Sequence, residues 1–381
     1  MIDYRQGDVL EQLARLKSEG VKVRTCVTSP PYWGLRDYGT GQWRGGDADC
    51  DHNPQRPDGG DRADRTLPLG RGGMYRDVCG KCGAVRVDNQ IGLERTPDEY
   101  VAKMVQVFRA VRDVLTDDGT LWLNLGDSFA GGKGQSGSRG AEFQEGRNER
   151  GDSLNRGYQT LGGAKQTKPT DDRAMLRESG IKPKDLVGIP WRVAFALQAD
   201  GWYLRSDIIW HKPNPMPESV RDRPTKAHEY IFLLSKSPKY FYDADAVAEP
   251  LKAESIKRNQ SGWNGNEDRD YVNGKQNHMS KYLGSDKAKA AVSRNRRSVW
   301  TVTTKPYKGA HFATFPPDLI EPCILAGSER GDLVLDPFGG SGTTAEVALK
   351  HGRRVILVEL NPSYVELQKA RLGRVQIMGG F

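Results

Sequence analysis

The sequence predicts an α/β protein built on a doubly wound, Rossmann-like sheet. Short apolar runs typical of buried strands alternate with segments of helical periodicity, such as a helix predicted for residues 100–115 and a strand predicted for residues 120–125. Strand–helix–strand alternation implies a parallel sheet with helices on its faces. Two apolar runs end in unusual turns, a proline pair at residues 30–31 and a glycine-rich turn at residues 339–342. Because ligands bind at the carboxyl ends of strands in such sheets, these turns are the main candidate sites.

The remaining elements continue this alternation. Thr96 and Glu99 form a capping box around Pro97, which predicts the start of the helix at residues 100–115. Further helices are predicted for residues 9–17, 189–199, 318–325, 345–350 and 363–372. Further strands are predicted for residues 3–5, 21–27, 202–210, 230–235, 332–336 and 355–359.

Length, charge and cysteine placement limit the class of protein. The 381 residues can bury a large core, and the net charge of +8 fits a polyanionic partner. No window approaches about 18 apolar residues, and the first residues lack the apolar region of a signal peptide. We therefore expect no membrane span and a cytoplasmic protein with reduced thiols. Cys26 and Cys323 fall in apolar runs, which predicts that both belong to the core.

The first candidate site, here called the Pro-Pro segment, follows the strand predicted for residues 21–27. It consists of Ser29, Pro30, Pro31, Tyr32 and Trp33. The two prolines fix the backbone and lack amide donors, so the carbonyls project in set directions. The hydroxyl and the two aromatic rings suit a flat ring that carries an amino group, with acceptors for the amine hydrogens and a face for stacking. The alternative is a strand-end turn with a buried aromatic residue.

The second candidate site is a strand–turn–helix–strand unit. The apolar strand at residues 332–336 runs into the glycine-rich turn, and Thr343 or Thr344 can cap the helix behind it. Glycines let the backbone approach a ligand closely, and the helix N-terminus presents unpaired amides. Glu359 ends the next strand, where a carboxylate suits the hydroxyls of a ribose. This unit predicts a cofactor that contains adenosine.

Together the two motifs resemble those of the DNA amino-methyltransferases, which methylate exocyclic amines of cytosine or adenine with S-adenosylmethionine. Residues 29–32 match the catalytic motif (Asp/Asn/Ser)-Pro-Pro-(Tyr/Phe), and residues 336–344 match the cofactor motif Asp-Pro-Phe-x-Gly-Ser-Gly-Thr-Thr. The catalytic motif comes first, which is the permuted order of the beta group. The resemblance implies a methyltransferase with a Rossmann-like sheet. It also implies that the enzyme acts on a base flipped out of double-stranded DNA.

The resemblance also suggests the base and the cofactor contacts. Serine at the first motif position accompanies N4-cytosine methylation more often than N6-adenine methylation, so cytosine is expected and adenine is the alternative. A rival activity is methylation of RNA or of a protein glutamine, and a rival of a different class is a non-catalytic zinc-containing DNA-binding protein. Asp8 matches a family position near the adenine of the cofactor, although its place at a helix start also fits an N-cap. The expected cofactor contacts are Asp8, Asp336, Phe338, Gly339, Gly340, Ser341, Gly342, Thr343 and Glu359.

A group of cysteines predicts a structural zinc site in residues 34–95, which contain too little periodic apolar sequence for a core. Cys79 and Cys82 form a Cys-Gly-x-Cys-Gly knuckle that can direct two sulfur atoms at one ion. Cys50 and His52 can supply the other two ligands of a closed, four-ligand Zn²⁺ site. The redox alternative needs a Cys-x-x-Cys pair that opens a helix after a strand, and Gly83 with Val85 argues against it.

Several polar residues are candidates for the target-base pocket or for DNA contacts. Asp127 follows a predicted strand and either lines the pocket or is a plain turn residue. Residues 210–217 match a Trp-x-Lys-x-Asn-x-x-Pro segment of the family, in which Lys212 and Asn214 can contact a base edge or a phosphate. Residues 251–300 carry eleven Lys or Arg against five Asp or Glu, and a solvated linker is the alternative to DNA recognition. The expected contacts there are Arg294, Arg296 and Arg297.

These assignments divide the chain into seven segments. The catalytic part is residues 1–33, the zinc-knuckle insert is 34–95, and the methyltransferase core continues at 96–130. Residues 131–185 form a flexible insert rich in Gly and Arg, 186–245 are core and target-base pocket, 246–300 the target-recognition region, and 301–381 the cofactor-binding part. Double-stranded DNA is the expected partner, with a homodimer and a cognate restriction endonuclease as further expectations from the resemblance.

Overall fold

The computed structural model describes residues 1–34, 40–52, 78–130, 180–261, 271–272, 275–276, 292–304 and 315–378. Most of the predicted flexible insert, residues 131–179, and most of the predicted target-recognition region, residues 262–270 and 277–291, lie outside these ranges. The seven-segment division stays a prediction. The helices are α1 (Val9–Ser18), α2 (Pro97–Val114), α3 (Ile189–Ala199), α4 (Ala253–Ser261), α5 (Pro317–Gly327), α6 (Thr343–Lys350) and α7 (Pro362–Met378).

Fourteen strands are present in the described residues, and eight of them form one sheet. The strands are β1 (Ile2–Gln6), β2 (Val23–Thr28), β3 (Gln42–Arg44), β4 (Val85–Val87), β5 (Leu115–Leu125), β6 (Tyr203–His211), β7 (His228–Ser235), β8 (Glu249–Pro250), β9 (Tyr271–Val272), β10 (Lys275–Gln276), β11 (Ser293–Arg294), β12 (Val299–Thr301), β13 (Leu333–Asp336) and β14 (Arg354–Glu359). The order in the large sheet is β1-β14-β13-β2-β5-β7-β6-β12.

The chain forms two compact units. The first consists of Met1–Pro30, Gln106–Leu125 and Leu197–Phe381, and the second of Pro31–Val105 and Gly126–Ala196. The large sheet belongs to the first unit. Its strands from β1 to β5 in spatial order are parallel, β7 is antiparallel to both neighbours, and β12 is parallel to β6. The predicted α/β sheet is confirmed, with an antiparallel β7 that the alternation pattern did not predict.

The central strands are buried along nearly their whole length. Near-continuous burial is typical of strands that are covered by other elements on both faces, and it explains why these segments are apolar throughout. Residues of β2, β5, β7 and β14 that are at most 1% exposed include Val23, Leu121, Leu123, Phe232 and Val355. Cys26 and Cys323 are fully buried, which confirms that both are core residues.

The helix ends agree with the sequence signals at α2 but not at α6. The hydroxyl of Thr96 accepts a hydrogen bond from the amide of Glu99, and the Glu99 carboxylate accepts one from the amide of Arg95. At α6 the expected threonine cap is wrong, because the N-cap is Gly342 with a φ of 80° and no side-chain cap bond. The Thr344 hydroxyl donates to a buried carboxylate instead. Among the described residues, every helix is too short or too polar to cross a membrane.

Candidate active site and Cys/His cluster

A buried carboxylate joins the ends of two neighbouring strands in the first unit. Asp336, the last residue of β13, is 2% exposed and accepts three hydrogen bonds. The Thr28 and Thr344 hydroxyls donate to its two oxygens over 2.6 and 2.7 Å, and the Phe338 amide donates over 3.0 Å. Burial raises the pKa of Asp336. Because Thr28 ends β2, this network places Ser29 and the glycine-rich turn at the same edge of the sheet.

Glu359 holds the glycine-rich turn from the end of β14. Its Oε2 accepts a hydrogen bond from the amide of Gly340 over 2.8 Å, and its Oε1 accepts one from the amide of Asn361 over 2.9 Å. Burial raises the pKa of Glu359 to about 7. Gly340 and Gly342 have φ values of 48° and 80°, which glycine adopts without steric penalty. A titratable acid therefore lies directly against the turn that the motif assigns to the cofactor.

Asp8 has the structural role that its position suggested. Its Oδ1 accepts hydrogen bonds from the amides of Leu10 and Glu11, over 2.9 and 3.2 Å, and so caps α1. The preceding Gly7 donates its amide to the carbonyl of Glu359 over 2.9 Å. The start of α1 therefore adjoins the end of β14, and a contact of Asp8 with the cofactor stays a prediction.

Helix α7 braces the glycine-rich turn through two side chains that the sequence did not single out. Gln368 donates to the carbonyl of Gly340 over 2.9 Å. Arg371 donates to the carbonyl and hydroxyl of Ser341 over 2.9 and 3.1 Å and to the hydroxyl of Thr343 over 3.2 Å, and it pairs with Glu346. Gln368 and Arg371 are three residues apart and therefore lie on one face of α7. This spacing is the sequence feature that could have indicated their shared role.

The second half of the Pro-Pro segment lies in the second unit and is held on several sides. The Tyr100 hydroxyl donates to the carbonyl of Pro31 over 2.9 Å. The Tyr32 ring packs on the backbone of Gly126, where a Cβ atom would lie 2.5 Å from Cε2 of the ring. The Trp33 indole donates to the carbonyl of Glu94 over 2.9 Å. The two aromatic side chains of the segment are therefore fixed by contacts within this unit.

In the structure, Asp127 has the role of a turn residue, which was the alternative to lining the target-base pocket. Its Oδ1 accepts hydrogen bonds from the amides of Ser128, Gly188 and Ile189, over 2.9, 2.9 and 3.1 Å. These amides include the first residue of α3, so the carboxylate stabilises the start of that helix. The structure thus gives Asp127 a backbone-holding role, and its contact with a target base stays a prediction.

Lys212 and Asn214 are both engaged within the chain. Lys212 forms an ion pair with Glu229, and its Nζ lies 4.2 Å from the centroid of the Trp210 ring. The side chains of Lys212 and Glu229 are 19% and 17% exposed. Asn214 exchanges two hydrogen bonds with the backbone of Thr304, over 3.1 and 3.4 Å. Their predicted contacts with DNA would have to coexist with these partners.

The three predicted phosphate contacts are also occupied by partners. Arg294 and Arg297 both pair with Glu249, over 3.2 and 2.8 Å. Arg296 lies over the Trp300 ring, with its guanidinium carbon 4.8 Å from the centroid. Arg294 and Arg297 therefore share one carboxylate, whereas Arg296 contacts an aromatic ring.

The four predicted metal ligands come together in the second unit. One ligand atom from each of Cys50, His52, Cys79 and Cys82 lies within 4.8 Å of all the others. The sulfur atoms of Cys50 and Cys79 are 3.7 Å apart, and the sulfur of Cys82 is 3.6 Å from Nδ1 of His52. Hydrogen bonds from the backbone of Ala84 and Asp47 lower the pKa of the Cys82 thiol to about 6. This set is here called the Cys/His cluster.

The comparisons with known proteins decide the family. The sequence model of the N6/N4 methyltransferases, described as DNA methylase, matches residues 23–370. The chain belongs to the N6/N4 DNA methylase family. It is therefore an S-adenosylmethionine-dependent DNA methyltransferase of the class that modifies N4 of cytosine or N6 of adenine.

Similar proteins match along nearly the whole chain. The chain is 40% identical to the type II methyltransferase M.Cfr9I of Citrobacter freundii over 371 residues, which are 96% of this chain and 86% of that protein. It is 39% identical to the type II methyltransferase M.SmaI of Serratia marcescens, covering 97% of this chain and 89% of that protein. The solved PvuII DNA methyltransferase (cytosine-N4-specific) superposes with a TM-score of 0.50 at 16% identity, covering 97% of this chain and 86% of that one. This last likeness supports the fold.

We expect Arg371→Met to weaken S-adenosylmethionine binding about tenfold, because hydrogen bonds from a charged donor that hold the turn are lost. Lys369→Met is the matched control, since Lys369 lies on the same helix and pairs with Glu366, a residue of that helix. Isothermal titration calorimetry with the cofactor measures both variants. Equal dissociation constants for Arg371→Met and the wild type would contradict a bracing role.

Proposed function

We propose that this chain transfers a methyl group from S-adenosylmethionine to N4 of a cytosine flipped out of double-stranded DNA. The observation that carries the proposal is the hydrogen-bonded junction of Thr28, Asp336 and Thr344. It brings the start of the Pro-Pro segment and the glycine-rich turn to one sheet edge, where an amine acceptor and a cofactor site are both needed. The choice of cytosine rests on Ser29 at the first motif position.

The residues of the first unit fit the cofactor chemically. The carboxylate of Glu359 stands at the end of β14 and suits the two hydroxyls of a ribose. The glycine-rich turn lets the ligand approach the backbone closely, and the amides at the start of α6 face the same edge. When bound there, S-adenosylmethionine supplies a sulfonium-linked methyl group that the base nitrogen takes in one displacement, with the bond electrons left on sulfur and one proton released from the nitrogen.

The Pro-Pro segment provides acceptors that hold the reacting amine. The Ser29 side-chain oxygen and the Pro30 carbonyl accept one amine hydrogen each, which favours a more tetrahedral nitrogen with an available lone pair. The neighbouring Pro31 carbonyl already accepts the Tyr100 hydroxyl. Orientation supplies much of the rate, because the methyl donor is already activated.

Tyr32 offers an aromatic face for the flipped base. An exocyclic amine is unreachable inside the stacked duplex, so the base must leave the stack before it reacts. Stacking on an aromatic ring compensates part of the unstacking, by about 1–3 kcal/mol per base. Packing on Gly126 limits the motion of the ring, which lowers the entropy lost when a base binds.

The relatives and the substrate support a proposed biological setting. The relatives named above are type II methyltransferases, which supports a place in a restriction–modification system with a cognate endonuclease. The protein works on cellular DNA in the cytoplasm of a prokaryotic cell, as a host or phage product, and a homodimer is the expected assembly. Arg297 keeps 69% of its side chain exposed beside Glu249 and is the best placed of the predicted phosphate contacts.

The Cys/His cluster binds one structural Zn²⁺. In a tetrahedral site with sulfur about 2.3 Å and nitrogen about 2.0 Å from zinc, two sulfurs lie about 3.8 Å apart and a sulfur and a nitrogen about 3.5 Å apart. The Cys50–Cys79 and Cys82–His52 separations of 3.7 and 3.6 Å, two of the six in the cluster, agree with this geometry. The amide of His52 also points at the sulfur of Cys50 over 3.5 Å, as expected for an oriented thiolate ligand. Four protein ligands close the site, so the ion has a structural role.

We expect new N4-methylcytosine in the DNA of a host that expresses the chain, measured by mass spectrometry of the digested nucleosides. Ser29→Ala should reduce transfer in vitro at least about a hundredfold and leave cofactor affinity unchanged, because an acceptor for the amine is lost. New N6-methyladenine would overturn the choice of base. If the chain binds the cofactor but forms neither N4-methylcytosine nor N6-methyladenine, that result would contradict methyl transfer to duplex DNA.

We expect cofactor affinity to rise between pH 6 and pH 8, because Glu359 has a pKa of about 7. Below that pH the group is protonated, and only the ionised carboxylate accepts both ribose hydroxyls. Below the pKa of Glu359, the cofactor affinity rises by at most about tenfold per pH unit, and above that pKa it levels off. Calorimetry across this range should show a slope for the wild type and none for Glu359→Gln. A slope that persists in the variant would assign the titration to another group.

We expect one zinc ion per chain in protein purified without added chelator, measured by elemental mass spectrometry. Cys79→Ser and Cys82→Ser should lower the content, since each removes a thiolate ligand. Lys81→Ala is the matched control, because Lys81 lies between the two cysteines and pairs with Asp51. Less than about half an ion per wild-type chain would contradict the site.

A further inference from the structure

A two-stranded antiparallel ribbon, formed by β3 and β4 and here called the hairpin although residues 45–84 separate its strands in sequence, adjoins the Cys/His cluster. Strands β3 and β4 are antiparallel, with Trp43 opposite Arg86. The Cys79 amide donates to the carbonyl of Ala84 over 2.8 Å, which closes the knuckle directly before β4. The ring of His52 stacks on Trp43, with centroids 4.6 Å apart. Ligands from both parts of the cluster therefore contact or adjoin the hairpin.

A largely buried ion pair fastens the chain where it leaves the hairpin. Arg86 pairs with Asp88 over 2.8 Å, and the two side chains are 12% and 11% exposed. The hydroxyl of Thr40 and the amide of Gln90 donate to the same carboxylate, over 2.7 and 3.0 Å. The segment that follows β4 is thus tied to the hairpin through Asp88.

The residues that follow hold the second half of the Pro-Pro segment. The carbonyl of Gly92 accepts the amide of Gly34 over 2.8 Å, and the carbonyl of Glu94 accepts the Trp33 indole over 2.9 Å. Gly92 has a φ of 99° and donates its amide to the Glu94 carboxylate over 2.8 Å. A Cβ atom at Gly92 would lie 2.9 Å from the carbonyl oxygen of Tyr32. The approach is close enough that only glycine fits.

The hairpin needs a further source of stability. Its strands have three residues each, and an isolated two-stranded hairpin is marginal in water. The described part of the insert buries few apolar side chains, among them Ala84 and Ile91 at 0% and 4% exposure. A bound cation joins residues 50 and 52 to residues 79 and 82, and the free energy of metal binding becomes free energy of folding.

We propose that the metal bound by the Cys/His cluster is a positioning group for the target base. It stabilises the hairpin, and the hairpin holds Tyr32 and Trp33 in the conformation that receives the flipped base. The inference rests on the proposed zinc site and on the proposed methyl transfer. The cofactor residues belong to the first unit and are held by Asp336, Glu359 and Arg371, so loss of metal lowers turnover on DNA without lowering cofactor affinity.

The first test compares the full-length chain with and without metal. Metal is removed with a chelator under reducing conditions and restored with Zn²⁺ alone. Hydrogen exchange in peptides covering residues 31–34 should be at least about tenfold faster without metal, because the Gly34 amide loses its fixed acceptor. The turnover number on duplex DNA should fall at least about tenfold and recover with Zn²⁺, while the cofactor dissociation constant stays within about twofold.

A second test perturbs the hairpin contact without touching a ligand. Gly92→Ala should keep its zinc and its cofactor affinity, yet lower turnover at least about tenfold, because the new methyl group displaces the backbone at Tyr32. Gly45→Ala is the matched control, since Gly45 has a φ of 72° in the same insert and an added Cβ meets nothing within 4 Å. The control should keep wild-type turnover.

The possible results distinguish failure of the positioning role from failure of the proposed zinc site or of the proposed methyl transfer. Unchanged exchange and full turnover in the metal-free chain would overturn the positioning role, as would wild-type turnover in Gly92→Ala. A zinc content below about half an ion per chain would remove its basis. If the wild type transfers no methyl group to DNA, the proposed function fails, and exchange at residues 31–34 alone decides the role of the metal: faster exchange without metal supports it and unchanged exchange overturns it.

Discussion

The sheet edge that carries Ser29 and the glycine-rich turn depends on the buried carboxylate of Asp336. This carboxylate lies between two strands that are some three hundred residues apart in the sequence. An isolated charge in that position would be strongly unfavourable, and three donors from both sides of the strand pair offset the loss of water. In the permuted order of motifs, the Pro-Pro segment and the glycine-rich turn are distant along the chain. Parallel pairing of β2 with β13 makes them neighbours, and Asp336 accepts hydrogen bonds from the end of β2, from the turn after β13 and from the start of α6.

The glycine-rich turn shows how a flexible sequence becomes a defined binding surface. Glycine loses more backbone entropy on ordering than any other residue, so a turn with several glycines needs support from outside. Glu359 supplies it from one strand, and Gln368 and Arg371 supply it from α7. Because these groups are already bonded before a ligand arrives, part of the ordering cost of binding is met by folding. The same side chain that accepts an amide of the turn can then accept hydroxyls of a ligand.

Patterns of local sequence predicted most of the fold and the two motifs, because burial and turn chemistry are written in consecutive residues. The strands at residues 21–27 and 355–359 and the capping box at Thr96 were found within a few residues of their observed ends. The bracing role of Arg371 was missed, since nothing in its neighbours shows that Ser341 and Glu346 will lie beside it. The threonine cap at α6 was wrong for a related reason: Thr344 reaches Asp336, a partner that local sequence does not bring near.

Electrostatic predictions depend most on such distant partners. A net charge of +8 indicates the class of partner, yet each basic residue acts in the field of its own neighbours. Arg294 and Arg297 share Glu249, and Lys212 lies between Glu229 and an indole ring, so much of their charge is balanced inside the chain. An arginine that is paired with a carboxylate can still bind DNA if it is exposed. Its guanidinium then binds a phosphate through the donors that the carboxylate partner leaves unused. The residues that meet DNA are therefore set by which cations keep donors directed at solvent, a property of tertiary structure rather than of composition.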